Sequence, residues 1–96
     1  ETTLTAGDVV VDTEARKVTK AGKPVILTNK EYGLLMLFIS NKNIALFREN
    51  LYEKVWGDEY LADSRTLDLH VQRLRRKMGW EENLVAVYKV GYRLEI

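Results

Sequence analysis

The segment "RTLDLHVQRLRRKMG", residues 65–79, constrains the fold more than any other part of the chain. It sets five cations (Arg65, Arg73, Arg75, Arg76, Lys77) against one carboxylate, Asp68. At about 100° per residue, Leu67, Val71, Leu74 and Met78 follow an i, i+4, i+7, i+11 spacing and fall within one narrow arc. Arg65, Leu69, Gln72, Arg73 and Arg76 fall on the opposite side, with Thr66 beside them and His70 and Arg75 on the flanks. The spacing predicts a helix over 64–78 that is seated by its apolar row and displays cations away from the body. Asp63 or Ser64 can cap its start, and Gly79 ends it.

The rest of the chain supplies that body. Its 96 residues suffice for one small domain with a core of its own. "TLT", "VVVD", "KVTK" and "KPVIL" in residues 3–27 read as short strands between the turn signals Ala6-Gly7, Asp12-Thr13-Glu14 and Ala21-Gly22. Spacers this short predict antiparallel pairing. Pro24 marks an edge or first position of its strand. "TNKE" (28–31) has the form of a capping box opening a helix to Ser40. In that helix Tyr32, Leu34, Leu35, Leu37, Phe38 and Ile39 make a wide apolar arc, and Gly33 implies close packing. "RENLYEKVW" (48–56) predicts a second helix with Leu51, Tyr52 and Val55 on one face, ended by Gly57. "LVAVYKVGYRLEI" reads as two strands around Lys89-Val90-Gly91, with Gly91 supplying a positive φ to the turn.

Composition excludes several function classes. Without cysteine there are no disulfides and no thiolate metal sites. One histidine, no phosphate-cradling loop and no cofactor motif argue against an enzyme, and His70 has no second metal ligand at a suitable spacing. No apolar run approaches a membrane span, no leader is visible, and a cytoplasmic location is expected. A start at Glu1 rather than Met reads as part of a longer protein.

The net charge of +1 conceals a segregation of charge. Residues 49–63 hold five acids and one base, and residues 64–77 hold five bases and one acid. Adjacent segments of opposite sign imply two different surfaces, one suited to a polyanion. The outer face of the third helix fits a DNA major groove: arginine can bond guanine bidentately, glutamine can pair with adenine, and Leu69 can meet a thymine methyl. The competing reading is a solvated basic face.

Helix, connection, basic helix and hairpin follow in the order of a winged helix-turn-helix. At "LTNKEYGLL" (27–35), "RENLYEKVWG" (48–57), "SRTLDLHVQRLRRKMG" (64–79) and "VGYRL" (90–94), the chain resembles the C-terminal effector domain of OmpR/PhoB-type response regulators across essentially all 96 residues. The resemblance implies an α+β fold: an N-terminal antiparallel sheet, three helices and a C-terminal hairpin wing. It implies base contacts from Arg73, Leu69, Gln72 and Arg76. It also implies DNA backbone contacts from Arg65, Thr66, His70, Arg75 and Gln72, and from the indole of Trp56 and the phenol of Tyr92. For Trp56 and Tyr92 the alternative is a core aromatic, and for His70 a helix-surface histidine with no partner.

Two positions depart from the family's pattern. Tyr88 stands where the wing commonly carries the arginine that enters the minor groove, and Lys89 where it commonly carries glycine. Phe47 replaces a Ser or Thr cap before "RE". In some relatives the connection between the second and third helices contacts RNA polymerase; here it includes Asp58, Glu59, Tyr60 and Leu61, and the alternative is a solvated loop. The resemblance further implies double-stranded DNA with direct-repeat sites as the partner. It places a receiver domain, and through it a sensor kinase, outside this chain. The rival function is a winged-helix protein-interaction module that does not bind DNA.

Overall fold

Two-residue and four-residue spacers leave the first half of the chain no option but to double back on itself. The computed structural model describes residues 2–60 and 65–96. In it Thr3–Ala6 (β1), Val9–Asp12 (β2), Lys17–Lys20 (β3) and Lys23–Val25 (β4) form an antiparallel sheet in chain order. Ala21 (φ 51°) and Gly22 (φ 81°) make the tight turn between β3 and β4. Val9 pairs with Lys20, Val11 with Val18 and Val18 with Val25. The alternation buries Val9, Val11 and Val18 on one face and leaves Val10 exposed on the other. Pro24 lies in β4, at the sheet's edge.

Helix α1 runs Asn29–Ser40 and opens on the expected capping box. The Glu31 amide donates to Thr28 Oγ1 at 3.3 Å, and the Thr28 amide donates to Glu31 Oε1 at 3.0 Å. Leu34, Leu35, Phe38 and Ile39 are buried, so α1 is the central core helix. A Cβ at Gly33 would lie 3.3 Å from Val55 Cγ1, which accounts for a glycine where α1 meets the second helix.

That second helix, α2 (Arg48–Trp56), follows a two-residue strand, β5 (Leu46–Phe47), that the sequence reading did not foresee. Phe47 occupies the N-cap without a side-chain hydrogen bond. The wing supplies the missing acceptor: the Arg48 amide donates to Val90 O at 3.0 Å. Gly57 closes α2 in the left-handed conformation.

Helix α3 runs Thr66–Met78, and Gly79 (φ 67°) ends it. Arg65 holds its N-cap position without a side-chain cap bond; Asp63 and Ser64, the expected caps, lie outside the described residues. Leu67, Val71, Leu74 and Met78 are each fully buried. Each such side chain contributes about 1.5–3 kcal/mol on burial, so the row anchors α3 firmly. It packs into one core with Leu34, Leu35, Phe38, Trp80, Leu84 and Leu94.

The hairpin consists of β6 (Leu84–Val87) and β7 (Gly91–Leu94), and the wing sheet has the order β5-β7-β6. Gly91 does not supply the turn's positive φ; Lys89 does, at 62°. Gly91 is needed instead for close approach. It pairs with Phe47, and a Cβ there would fall 2.1 Å from Leu46 O and 2.9 Å from the Arg48 amide nitrogen. The chain thus forms a winged helix-turn-helix with an N-terminal antiparallel sheet.

Candidate nucleic-acid interface

The outward side of α3 follows from how its inner side is seated. With Leu67, Val71, Leu74 and Met78 inward, Arg65, Leu69, Gln72, Arg73 and Arg76 are all exposed, and Leu69 keeps half of its surface open. Thr66, His70 and Arg75 are half-buried along the flanks. Among the described residues, the side chains of Arg73 and Arg76 make no ion pair or hydrogen bond.

Neighbouring cations are engaged within the molecule. Arg75 donates through Nε to Leu84 O at 2.8 Å and through Nη1 to Gln72 Oε1, tying α3 to the start of β6. Lys77 turns away from the outer face: its Nζ bonds Glu31 Oε1 at 2.7 Å and Ile26 O at 3.2 Å. Glu31 is 1% exposed. Burial alone would raise its carboxyl, but the bonds from Lys77 and the Thr28 amide outweigh that and hold it below the usual carboxylate range. Arg93 pairs with Glu95.

The aromatic and histidine positions form a shelf beside α3. Trp56 stacks on Tyr52 with centroids 4.8 Å apart, and the His70 ring meets it edge-on at 4.9 Å. Lys30 Nζ lies 5.5 Å over the same indole. His70 Nδ1 lies 2.8 Å from Thr66 O, a bond that fixes the ring's direction on the helix. Among the described residues no three His, Asp or Glu side chains gather to hold a metal ion.

Tyr92 takes the buried alternative. It is 7% exposed, and its hydroxyl donates to Asp68 Oδ1. Burial and that carboxylate together push its phenol up. The same Oδ1 accepts from Arg48 Nη2, and Arg48 Nε donates to the Tyr60 hydroxyl at 3.2 Å. Sequence reasoning assigned no role to Arg48 or Asp68. No sequence signal pointed to them, because an acid in the first turn of a helix is favourable without a partner from another element.

At the hairpin tip Tyr88 is 85% exposed, and Lys89 Nζ lies 5.5 Å over its ring. The bond from the Val90 amide to Val87 O closes the turn. In the connection after α2, Asp58 and Glu59 are exposed, while Tyr60 is half-buried against Tyr52 and Arg48. Leu61 lies outside the described residues.

Residues 22–94 match the protein family described as "Transcriptional regulatory protein, C terminal". Over 92 residues the chain is 44% identical to the transcriptional regulatory protein CseB of Streptomyces coelicolor, covering 96% of this chain and 39% of that protein. It is 41% identical over 96 residues to the sensory transduction protein RegX3 of Mycolicibacterium smegmatis, covering 96% of this chain and 42% of that one. It therefore spans about two fifths of the length of these relatives. Among solved structures, the DNA-binding domain of Bacillus subtilis CssR is 41% identical with a TM-score of 0.77, covering 90% of this chain and 98% of that one. The DNA-binding domain of Escherichia coli CpxR shares the fold, with a TM-score of 0.89 at 23% identity over 99% of this chain and 97% of that one.

Proposed function

The chain belongs to the transcriptional regulatory protein C-terminal family, and we propose that it binds double-stranded DNA in a sequence-specific manner as the output domain of a two-component response regulator. The observation that carries this reading is the state of Arg73 and Arg76. Both stand exposed on the outer face of a well-seated helix, with no partner among the described residues, while Arg75, Lys77, Arg48 and Arg93 are occupied. Open guanidinium forks on a helix face are the groups that bond guanine O6 and N7 in a major groove.

With α3 in the groove, Arg73, Arg76, Gln72 and Leu69 meet base edges. Arg65, Thr66, His70 and Arg75 lie toward the phosphate walls, where contacts set register. Trp56 borders the same side through its contact with His70. Tyr92 acts from behind, through Asp68. Tyr88 and Lys89 project from the wing toward the flanking duplex.

Binding to direct repeats, one domain per half-site, sets the sites about one helical turn apart. The receiver domain belongs to the longer protein, in the cytoplasm where the DNA lies, and a cognate sensor kinase is a partner that acts through that domain. The exposed carboxylates Asp58 and Glu59 offer RNA polymerase an acidic contact.

A salt titration tests DNA binding directly. Each neutralised phosphate should contribute about −0.9 to the slope of log K against log[salt]. A steep negative slope on a duplex selected from a random pool is expected. A flat line would favour the rival protein-interaction module.

A further inference from the structure

A carboxylate of α3 bonds the outer half of the wing. Asp68, in the first turn of α3, accepts on one oxygen from both Arg48 of α2 and the Tyr92 hydroxyl of β7. The Arg48 guanidinium also lies 5.5 Å over the Tyr92 ring, and its backbone amide donates to Val90 O at 3.0 Å. The pairing Leu84↔Leu94 marks the base of the hairpin, and Ala86↔Tyr92 lies near its tip. Arg75 bonds Leu84 O at the base, whereas Asp68 holds Tyr92 toward the tip.

Two short strands are marginal alone, and β5 adds only two residues to the sheet. Besides the Arg75 bond at the base, β7 is held by its short pairing with β5 and by the Arg48 amide on Val90 O. The Asp68 attachment sets the hairpin's angle. Burial alone would raise the Asp68 carboxyl, but the Arg48 and Tyr92 bonds outweigh it and hold the group below the usual carboxylate range. The attachment is therefore complete at neutral pH. Arg48 also neutralises the one acid on a helix otherwise suited to a polyanion.

We propose that Asp68, with Arg48 and Tyr92, is a positioning set that fixes the wing tip relative to the outer face of α3, and so governs the contacts of Tyr88 and Lys89 with flanking DNA. The second half of this proposal rests on the DNA-binding reading; the first half does not.

Amide hydrogen exchange on the free 96-residue chain tests the first half. In both Tyr92→Phe and Asp68→Asn, the Arg48 amide, bonded to Val90 O, should exchange roughly tenfold faster, as befits a local opening. The Leu74 amide in α3 should change much less. Equal acceleration of Arg48 and Leu74 would indicate general destabilisation and overturn the proposal. On DNA, Tyr88→Ala should weaken binding of the parent chain several-fold and have little further effect in the Tyr92→Phe background. Arg73→Ala should cost the same in both. An undiminished effect of Tyr88→Ala in the Tyr92→Phe background would also overturn the proposal. Failure of the parent chain to bind any duplex would sink the DNA reading alone, and the exchange data would still decide the positioning role.

Discussion

Gly91→Ala is the most exacting single change available in the wing. The added methyl would sit 2.1 Å from Leu46 O and 2.9 Å from the Arg48 nitrogen, both backbone atoms that no rotamer change can move. β5 must therefore separate from β7, which abolishes the pairs Leu46↔Tyr92 and Phe47↔Gly91. The Arg48 amide then loses Val90 O as well. Overpacking costs about 1–3 kcal/mol, and each lost backbone hydrogen bond adds about 1 kcal/mol. A total near 3 kcal/mol or more is expected in urea unfolding, seen as a lower midpoint with little change in slope. Lys89→Gly is the informative control. Lys89 carries the left-handed φ of 62°, so glycine there should stabilise the turn by about 1 kcal/mol. If Gly91→Ala cost less than 1 kcal/mol while Lys89→Gly gained nothing, the close-approach explanation would be wrong.

Two further outcomes follow from the same geometry. Glu31 has a folded pKa below its unfolded value, so its stabilising contribution is complete above the unfolded value and is lost as pH falls through the folded one; Glu31→Gln should flatten the acid limb of a stability-against-pH curve, and an unchanged limb would contradict the assignment. Tyr88→Arg should raise affinity for sites with A/T flanks, because arginine exploits a narrow, electronegative minor groove that a neutral phenol does not; equal affinity before and after would mean that the wing tip does not enter the groove.

Periodicity and end signals made much of the architecture legible in the sequence. The Thr28–Glu31 capping box, the Leu67–Met78 row and the glycines at 57 and 79 are local features, and local hydrogen bonding and burial enforce them. The structure's additions depend on contacts between distant segments. β5 is two residues long and exists because β7 lies beside it. Gly91 looked like a turn glycine, since a φ requirement and a steric requirement select the same residue. The charge count of the basic helix was correct, but charge alone does not say which cations are occupied. Lys77 is spent on Glu31, 46 positions away, and Arg75 on the carbonyl of Leu84. Tyr92 faces a carboxylate on another element, so its role could not be separated from a phosphate contact by sequence alone.

Arg73→Ala, measured on a selected duplex and on its single-base variants, addresses the outer face of α3 most directly. A base-reading arginine predicts a loss of about 1–3 kcal/mol on the selected site and relaxed preference at one base pair, with a nearly unchanged salt slope. A uniform loss on every sequence, together with a slope reduced by about one, would place Arg73 on a phosphate and contradict its role in reading the groove.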